Sequence, residues 1–144
     1  MGSLGLEKSW AVCGSSAPPP GFSVGKTQEV GVYRGTTFQF VKHSDVCNSA
    51  IQFNGMEESH VLNQWWNPQR GEVVIDVGAG LGLYTLPSLA MGAIVHAFEP
   101  DVAQAELLAE SVRLNRWGAR GFIWQIGLHR WNGEADLHVG FAPR

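Results

Sequence analysis

The chain has 144 residues, which is the length of a single domain. Apolar residues make up 44% and charged residues 16%, a balance that excludes a wholly disordered chain. The net charge of −3 argues against a broad basic surface, so we expect no nucleic-acid partner. No apolar run approaches the ~20 residues that cross a bilayer, and the start lacks a secretory signal. We therefore expect a cytoplasmic protein with no membrane partner.

The first half of the chain predicts a tail followed by a small extension. Residues 1–29 are rich in Gly, Ser and Pro and include three consecutive prolines, which indicates a disordered tail. Residues 30–70 form the expected N-terminal hairpin and helical extension. Alternating residues over 30–42 indicate a β-hairpin, and 46–66 has the apolar pattern of a helix interrupted at Asn54-Gly55.

The second half, residues 71–144, alternates strand and helix patterns. The predicted elements are strand 73–77, helix 83–91, strand 93–98, helix 101–116, strand 121–126 and, after a turn, strand 134–139. Strands joined by helices form a parallel sheet with right-handed crossovers. The predicted fold class is α/β, a Rossmann-like doubly wound parallel sheet that is truncated after about three parallel strands.

A glycine-rich turn follows the first of these strands. The sequence Asp76-Val77 leads into Gly78-Ala79-Gly80-Leu81-Gly82 and then into a helix. Glycines allow a sharp turn and a close ligand, and the start of a helix supplies unpaired N–H groups. Glu99 ends the next strand, 17 residues after Gly82, where its carboxylate can accept hydrogen bonds from both hydroxyls of a ribose.

Two cofactors fit such a turn. Dinucleotide-binding folds use G-x-G-x-x-G, but Leu83 stands at the third glycine position of that pattern. An acid at Asp76 suits the cationic amino-acid end of S-adenosylmethionine. The spacing favours S-adenosylmethionine, and NAD remains the alternative.

Several motifs of the chain resemble those of class I S-adenosylmethionine-dependent methyltransferases, and more narrowly the FkbM-type family. The matching segments are VVIDVGAGLGLYTLPSLA, HAFEPD, LLAESVRLN and, upstream, Gly55-Met56-Glu57. The resemblance covers about residues 43–140. One family motif, the fourth-strand "K-x-D-V-E-G", has no counterpart here, so we expect the substrate-facing half to be missing.

The resemblance implies ten cofactor-binding residues. The methionine end would be lined by Asp76, Gly78, Ala79, Gly80 and Gly82, helped by Tyr84 and Thr85; Glu99 would hold the ribose, Pro100 would shape the loop near the adenine, and Glu57 would close the pocket. No residue is assigned as catalytic and no metal site is expected. His96 is expected to be packed in its strand, and nothing fixes His129 or His138. The pair Trp65-Trp66 is expected to anchor a core or an interface.

The resemblance implies a methyltransferase that acts on oxygen of a small-molecule or glycan acceptor. Two alternatives stay open: a truncated module that binds the cofactor or a partner without turnover, and a fragment of an NAD-binding oxidoreductase. A half-sheet exposes a strand edge, so we also expect self-association or a partner chain at that edge.

Overall fold

The structure is a computed structural model that describes residues 25–43 and 60–137. Glu57, His138, the Asn54-Gly55 turn and most of the predicted helix 46–66 lie outside the described residues. The elements are strands β1 (Lys26–Tyr33) and β2 (Thr36–His43), a π-helical turn (Val61–Trp65), strand β3 (Val73–Val77), helix α1 (Thr85–Ala90), strand β4 (Ile94–Phe98), helix α2 (Val102–Leu114) and strand β5 (Gly121–Trp124).

The N-terminal hairpin forms as predicted but starts earlier. Strands β1 and β2 pair antiparallel in a register that sets Tyr33 opposite Thr36, across a turn at Arg34-Gly35. Strand β1 begins at Lys26, so the last four residues of the predicted tail 1–29 belong to the hairpin. The composition that indicated a tail ends before Lys26, since the run from Lys26 onward has few Gly and Pro residues.

The second half folds as the parallel α/β unit that the sequence predicts. Strands β3, β4 and β5 lie side by side in that order and all pair in parallel. Helices α1 and α2 form the two crossovers, and Asp101 caps α2 by accepting hydrogen bonds from the backbone N–H groups of Ala103 and Gln104. The predicted α/β fold class is confirmed.

Helices α1 and α2 lie between the hairpin and one face of the sheet. Their buried residues join those of the hairpin and the sheet in one core, whose members include Phe38, Leu86, Leu89, Leu108 and Val95. The outer edge of β2 is satisfied by side chains of α2. Ser111 Oγ accepts a hydrogen bond from Val41 N at 2.9 Å. Asn115 Oδ1 accepts one from Gln39 N at 2.9 Å.

The opposite face of the sheet carries exposed apolar side chains. They alternate with the buried residues along β3 and β5, as expected for strands with one covered face. The exposed residues are Val73, Ile75, Val77, Phe122 and Trp124. A fourth strand was predicted at 134–139, but residues 134–137 are irregular and exposed, so that prediction is wrong over the described residues. Alternation alone makes no strand where no neighbouring strand supplies hydrogen bonds.

In the part of the chain that the structure describes, no helix is long and apolar enough to span a membrane.

Candidate cofactor site

The glycine-rich turn lies at the carboxyl edge of the sheet, between the ends of β3 and β4. The backbone N–H groups of Gly78 and Ala79 both donate to the carbonyl oxygen of Phe98, at 2.9 and 3.1 Å. These bonds attach the start of the turn to the end of β4. Open α/β sheets bind their ligands at this edge.

Gly82 closes the turn where the backbone passes against the two helices. Its φ is +98°, and a Cβ there would lie 2.5 Å from Leu108 Cδ1 and 2.9 Å from Leu86 Cγ. Both the left-handed backbone and the missing space therefore require glycine. The tight contact fixes the backbone of the turn against α1 and α2.

Asp76 lies at the end of β3 and faces the start of α1. Thr85 Oγ1, which is fully buried, donates a hydrogen bond to Asp76 Oδ2 at 2.6 Å. Burial raises the pKa of Asp76 above its ordinary 3.8, while the hydrogen bonds from Thr85 oppose that rise. A half-buried carboxylate of this kind is stabilised by a cationic group placed beside it.

Glu99 is buried at the end of β4 and connects three parts of the site. Its exposed fraction is only 6%. Oε2 accepts a hydrogen bond from Gly80 N at 2.7 Å, and Oε1 accepts one from Asp101 N at 2.9 Å. Each carboxylate oxygen can accept more than one bond, so Glu99 keeps capacity for a ligand hydroxyl. Its position also places a negative charge at the start of α2, which the helix dipole favours.

The remaining predicted residues surround this centre. Tyr84 directly precedes α1, and its ring meets that of Trp66 edge to face at 5.1 Å. Pro100 lies beside the segment that follows β5, where a Cβ on Gly127 would contact it at 3.7 Å. Asp76, the turn 78–82, Thr85 and Glu99 thus come together at one edge. The tenth predicted residue, Glu57, lies outside the described residues.

Sequence reasoning missed two residues beside the turn. Gln104 Oε1 lies over Gly80, only 3.2 Å from where a Cβ would stand. Asp101 is 4% exposed, and its Oδ2 has no hydrogen-bond partner. Asp101 and Gln104 have the spacing of a capping box, a pattern that indicates the start of a helix and not a contact with the glycine turn.

His96 and His129 do not join the site. His96 lies in the middle of β4, stacked on Phe122 with ring centroids 4.9 Å apart, and it accepts a hydrogen bond from Trp124 Nε1 at 3.2 Å. His129 is exposed after β5. Among residues 25–43 and 60–137, no group of three potential metal ligands comes together.

Comparison with known proteins gives one curated relative and several solved structures with a similar fold. The chain matches no known protein-family model. It is 32% identical over 125 residues to the 23S rRNA (uracil(1939)-C(5))-methyltransferase RlmD of Alteromonas mediterranea, a match that covers 81% of this chain and 26% of that protein. The chain thus spans about a quarter of the length of this curated relative.

Two solved structures share the fold. The 16S rRNA N2 G1207 methyltransferase RsmC of T. thermophilus, in complex with AdoMet and guanosine, matches 75% of this chain and 29% of its own, with a TM-score of 0.56 and 24% identity. The putative transferase PH0793 of Pyrococcus horikoshii matches 70% of this chain and 37% of its own, with a TM-score of 0.50 and 24% identity.

These likenesses establish the class of fold. The chain has the Rossmann-like fold of class I S-adenosylmethionine-dependent methyltransferases. The expected cofactor, S-adenosylmethionine, is confirmed by these similar proteins, since the RsmC structure contains AdoMet. Membership of the narrower FkbM-type family stays a prediction.

One expectation is wrong. Nucleic acid was excluded as a partner, yet the curated relative and the RsmC structure are both rRNA methyltransferases by name. The net charge of −3 misled here because it averages over the whole chain. A contact with RNA depends on the groups at one surface, and an acidic total does not prevent a local cation from binding phosphate.

Proposed function

We propose that the chain binds S-adenosylmethionine at the carboxyl edge of its sheet and is the cofactor-binding part of an RNA methyltransferase. The observation that carries the proposal is the buried Glu99 carboxylate, which is bonded to Gly80 N beside the Asp76 carboxylate of the neighbouring strand. Two acids at adjacent strand ends, with a glycine turn between them, match a ligand that has both a cationic amino-acid end and a ribose.

Each residue has a proposed role. Asp76 attracts the ammonium group, and Thr85 holds that carboxylate in place through its 2.6 Å bond. Glu99 accepts hydrogen bonds from the ribose hydroxyls. The turn 78–82 approaches the ligand with its backbone, and Tyr84 and Pro100 bound the methionine and adenine ends. Glu57 stays a predicted contributor to the pocket.

When bound, S-adenosylmethionine supplies an electrophilic methyl group on a sulfonium, which passes to a nucleophile in line with the breaking C–S bond. The chain contributes alignment, because a fixed cofactor makes the transfer effectively unimolecular. An acceptor that loses a proton needs a base within hydrogen-bond reach. No residue of this chain is assigned that role.

The proposed acceptor is RNA, on the strength of the rRNA methyltransferase that matches 81% of this chain. Two alternatives to RNA methylation remain, one with a different methyl acceptor and one without methyl transfer. The FkbM-type resemblance favours O-methylation of a small molecule or glycan. The second alternative is a module that binds the cofactor without turnover. The NAD-binding alternative is disfavoured because Leu83, which packs on the core, replaces the third glycine.

The test is transfer of a radiolabelled methyl group from S-adenosylmethionine to total ribosomal RNA, stripped of its proteins and taken from cells that lack this protein. The same assay with oligosaccharides and small alcohols tests the FkbM-type alternative. Label in RNA that Asp76→Asn abolishes supports the proposal. Label only in small acceptors overturns the RNA acceptor. Cofactor binding without transfer to any acceptor supports the module instead.

A further inference from the structure

The most exposed large hydrophobic side chain in the described residues belongs to Trp65. It is 77% exposed, although tryptophan is a residue that proteins usually bury in large part. Its neighbour Trp66 does the opposite, packing on the core and donating from Nε1 to Ser88 Oγ at 3.0 Å. At the end of the π-helical turn Val61–Trp65, the ring of Trp65 therefore lies in solvent and the ring of Trp66 points inward.

The turn that carries Trp65 is fixed by the tip of the hairpin. Tyr33 Oη donates to Leu62 O at 3.0 Å. Arg34 Nη2 donates to Asn63 O at 3.2 Å and to Trp66 O at 3.1 Å. These bonds satisfy carbonyl groups at the end of the turn and hold the backbone on both sides of Trp65. The exposed ring thus projects from a rigid base.

Arg34 occupies a conformation that arginine rarely adopts. Its φ is 46°, in the left-handed region, which is unfavourable for a residue with a side chain. Gly35 follows with a φ of 78°, so the hairpin turn needs two left-handed residues, a requirement usually met by Asn and Gly. Contacts made by the guanidinium offset this strain. Within residues 25–43 and 60–137, these contacts use Nε and Nη2 of Arg34, whereas its Nη1 amino group, on an exposed residue, takes part in none.

Trp66 connects the turn that carries Trp65 to the start of α1, which borders the candidate cofactor site. Trp66, the residue after Trp65, meets the ring of Tyr84 at 5.1 Å. Tyr84 directly precedes Thr85, which bonds Asp76. The turn that carries Trp65 is therefore connected, through Trp66 and Tyr84, to the part of the fold that borders the glycine turn.

We propose that Trp65 and Arg34 form a nucleotide subsite, in which an unpaired base of an RNA chain stacks on the indole and an adjacent phosphate bonds Nη1 of Arg34. This inference rests on the proposed RNA methylation and specifies how the RNA is held. An exposed aromatic ring stacks on any base, since every base has a flat face. The Arg34 guanidinium, which is bonded to the carbonyl groups of Asn63 and Trp66 on either side of Trp65, supplies a positive charge and the N–H donors of Nη1 for a phosphate oxygen.

The experiment measures binding of a fluorescent, single-stranded oligouridylate of about 12 nucleotides by anisotropy. The variants are Trp65→Ala, Trp65→Phe and, as a matched control at another exposed tryptophan, Trp131→Ala. Trp65→Ala weakens binding by about 5- to 150-fold, while Trp65→Phe retains most of the affinity. Trp131→Ala leaves it unchanged. Affinity for S-adenosylmethionine is the same in all variants.

A second measurement addresses Arg34. Arg34→Gln lowers the slope of log affinity against log salt concentration by about 0.7, which corresponds to one phosphate on a single strand, and Arg34→Lys restores it. A duplex of the same RNA binds Trp65→Ala and the unaltered chain equally, because its bases are not available for stacking.

Two results separate the subsite from the proposed function. If the unaltered chain binds the single strand and Trp65→Ala binds it equally well, the subsite is overturned and RNA methylation stands. If the chain binds S-adenosylmethionine but no RNA, RNA as acceptor is overturned together with the subsite.

Discussion

Glu99 and Gly80 are joined by a 2.7 Å hydrogen bond between the carboxylate at the end of β4 and the backbone N–H in the turn after β3. The second carboxylate oxygen of Glu99 holds Asp101 N at the start of α2. One buried side chain therefore sets both the shape of the glycine turn and the start of the next helix. In the proposed complex it also binds the ribose.

Glu99→Gln tests this double role. A glutamine offers one accepting oxygen and sets an NH₂ donor against the second backbone N–H, so one of the two bonds is lost. Hydrogen bonds to a charged group contribute about 1.5–3 kcal/mol each. We expect affinity for S-adenosylmethionine to fall at least about tenfold, measured by calorimetric titration. Glu106→Gln, an exposed acid on α2, is the control and leaves the affinity unchanged.

Asp76→Asn is expected to lower the affinity for S-adenosylmethionine while raising the stability of the protein without ligand. The amide keeps an oxygen that accepts the Thr85 bond but loses the charge that attracts the ammonium group, so cofactor affinity falls at least about tenfold. The apo protein becomes more stable at neutral pH, because burial of the ionised carboxylate is unfavourable and the amide removes it. Thermal unfolding without ligand measures the gain. A lower melting temperature for Asp76→Asn would contradict this reading of the site.

The pH dependence follows from the raised pKa of Asp76. The folded protein holds the Asp76 proton more tightly than the unfolded chain, whose carboxyl titrates near 3.8. The stabilising contribution of this group is therefore complete below pH 3.8 and is lost as the pH rises through the folded pKa. Urea unfolding of the unaltered chain and of Asp76→Asn at several pH values measures it. The stability difference between them shrinks as the pH falls towards 3.8, and a constant difference would contradict the assignment.

Two glycines of the turn provide a matched pair for testing the close approach. Gly78 and Gly82 both have left-handed backbones, with φ of +77° and +98°, but only Gly82 lacks space for a Cβ. Gly78→Ala should lower the free energy of unfolding by about 1–2 kcal/mol. Gly82→Ala should lose about 1–3 kcal/mol more through contact with Leu108 and Leu86. Chemical denaturation of both variants gives the comparison, and equal losses would show that the helices move aside freely.

The sequence predicted the elements that have strong local signals. The β-branched run Val73–Val77 formed a strand as expected, and the helix expected over 101–116 formed over Val102–Leu114. The hairpin was predicted from alternation and its turn, although its first strand begins at Lys26. The strand predicted at 134–139 failed over its described part because alternation states which face is apolar and does not supply a partner strand.

The site was predictable in its residue types and not in its contacts. The positions of Asp76 and Glu99 at strand ends followed from the order of strand, turn and strand. That Glu99 bonds Gly80, or that Gln104 lies over the turn, depends on how α2 packs, which no local pattern records. The exposure of Trp65 was hidden for the same reason, since two adjacent tryptophans look alike in sequence and only the hairpin contacts separate them. Net charge was the least informative signal, because it describes no particular surface.

The most direct test of the central claim is calorimetric titration of the folded chain with S-adenosylmethionine, repeated with Glu99→Ala. Saturable binding at one site, weakened at least about tenfold by the substitution, is the expected result. Absence of heat from a chain whose folding is verified by circular dichroism, or binding that Glu99→Ala leaves unchanged, would contradict it. The glycine turn would then be a feature of the fold without a cofactor site.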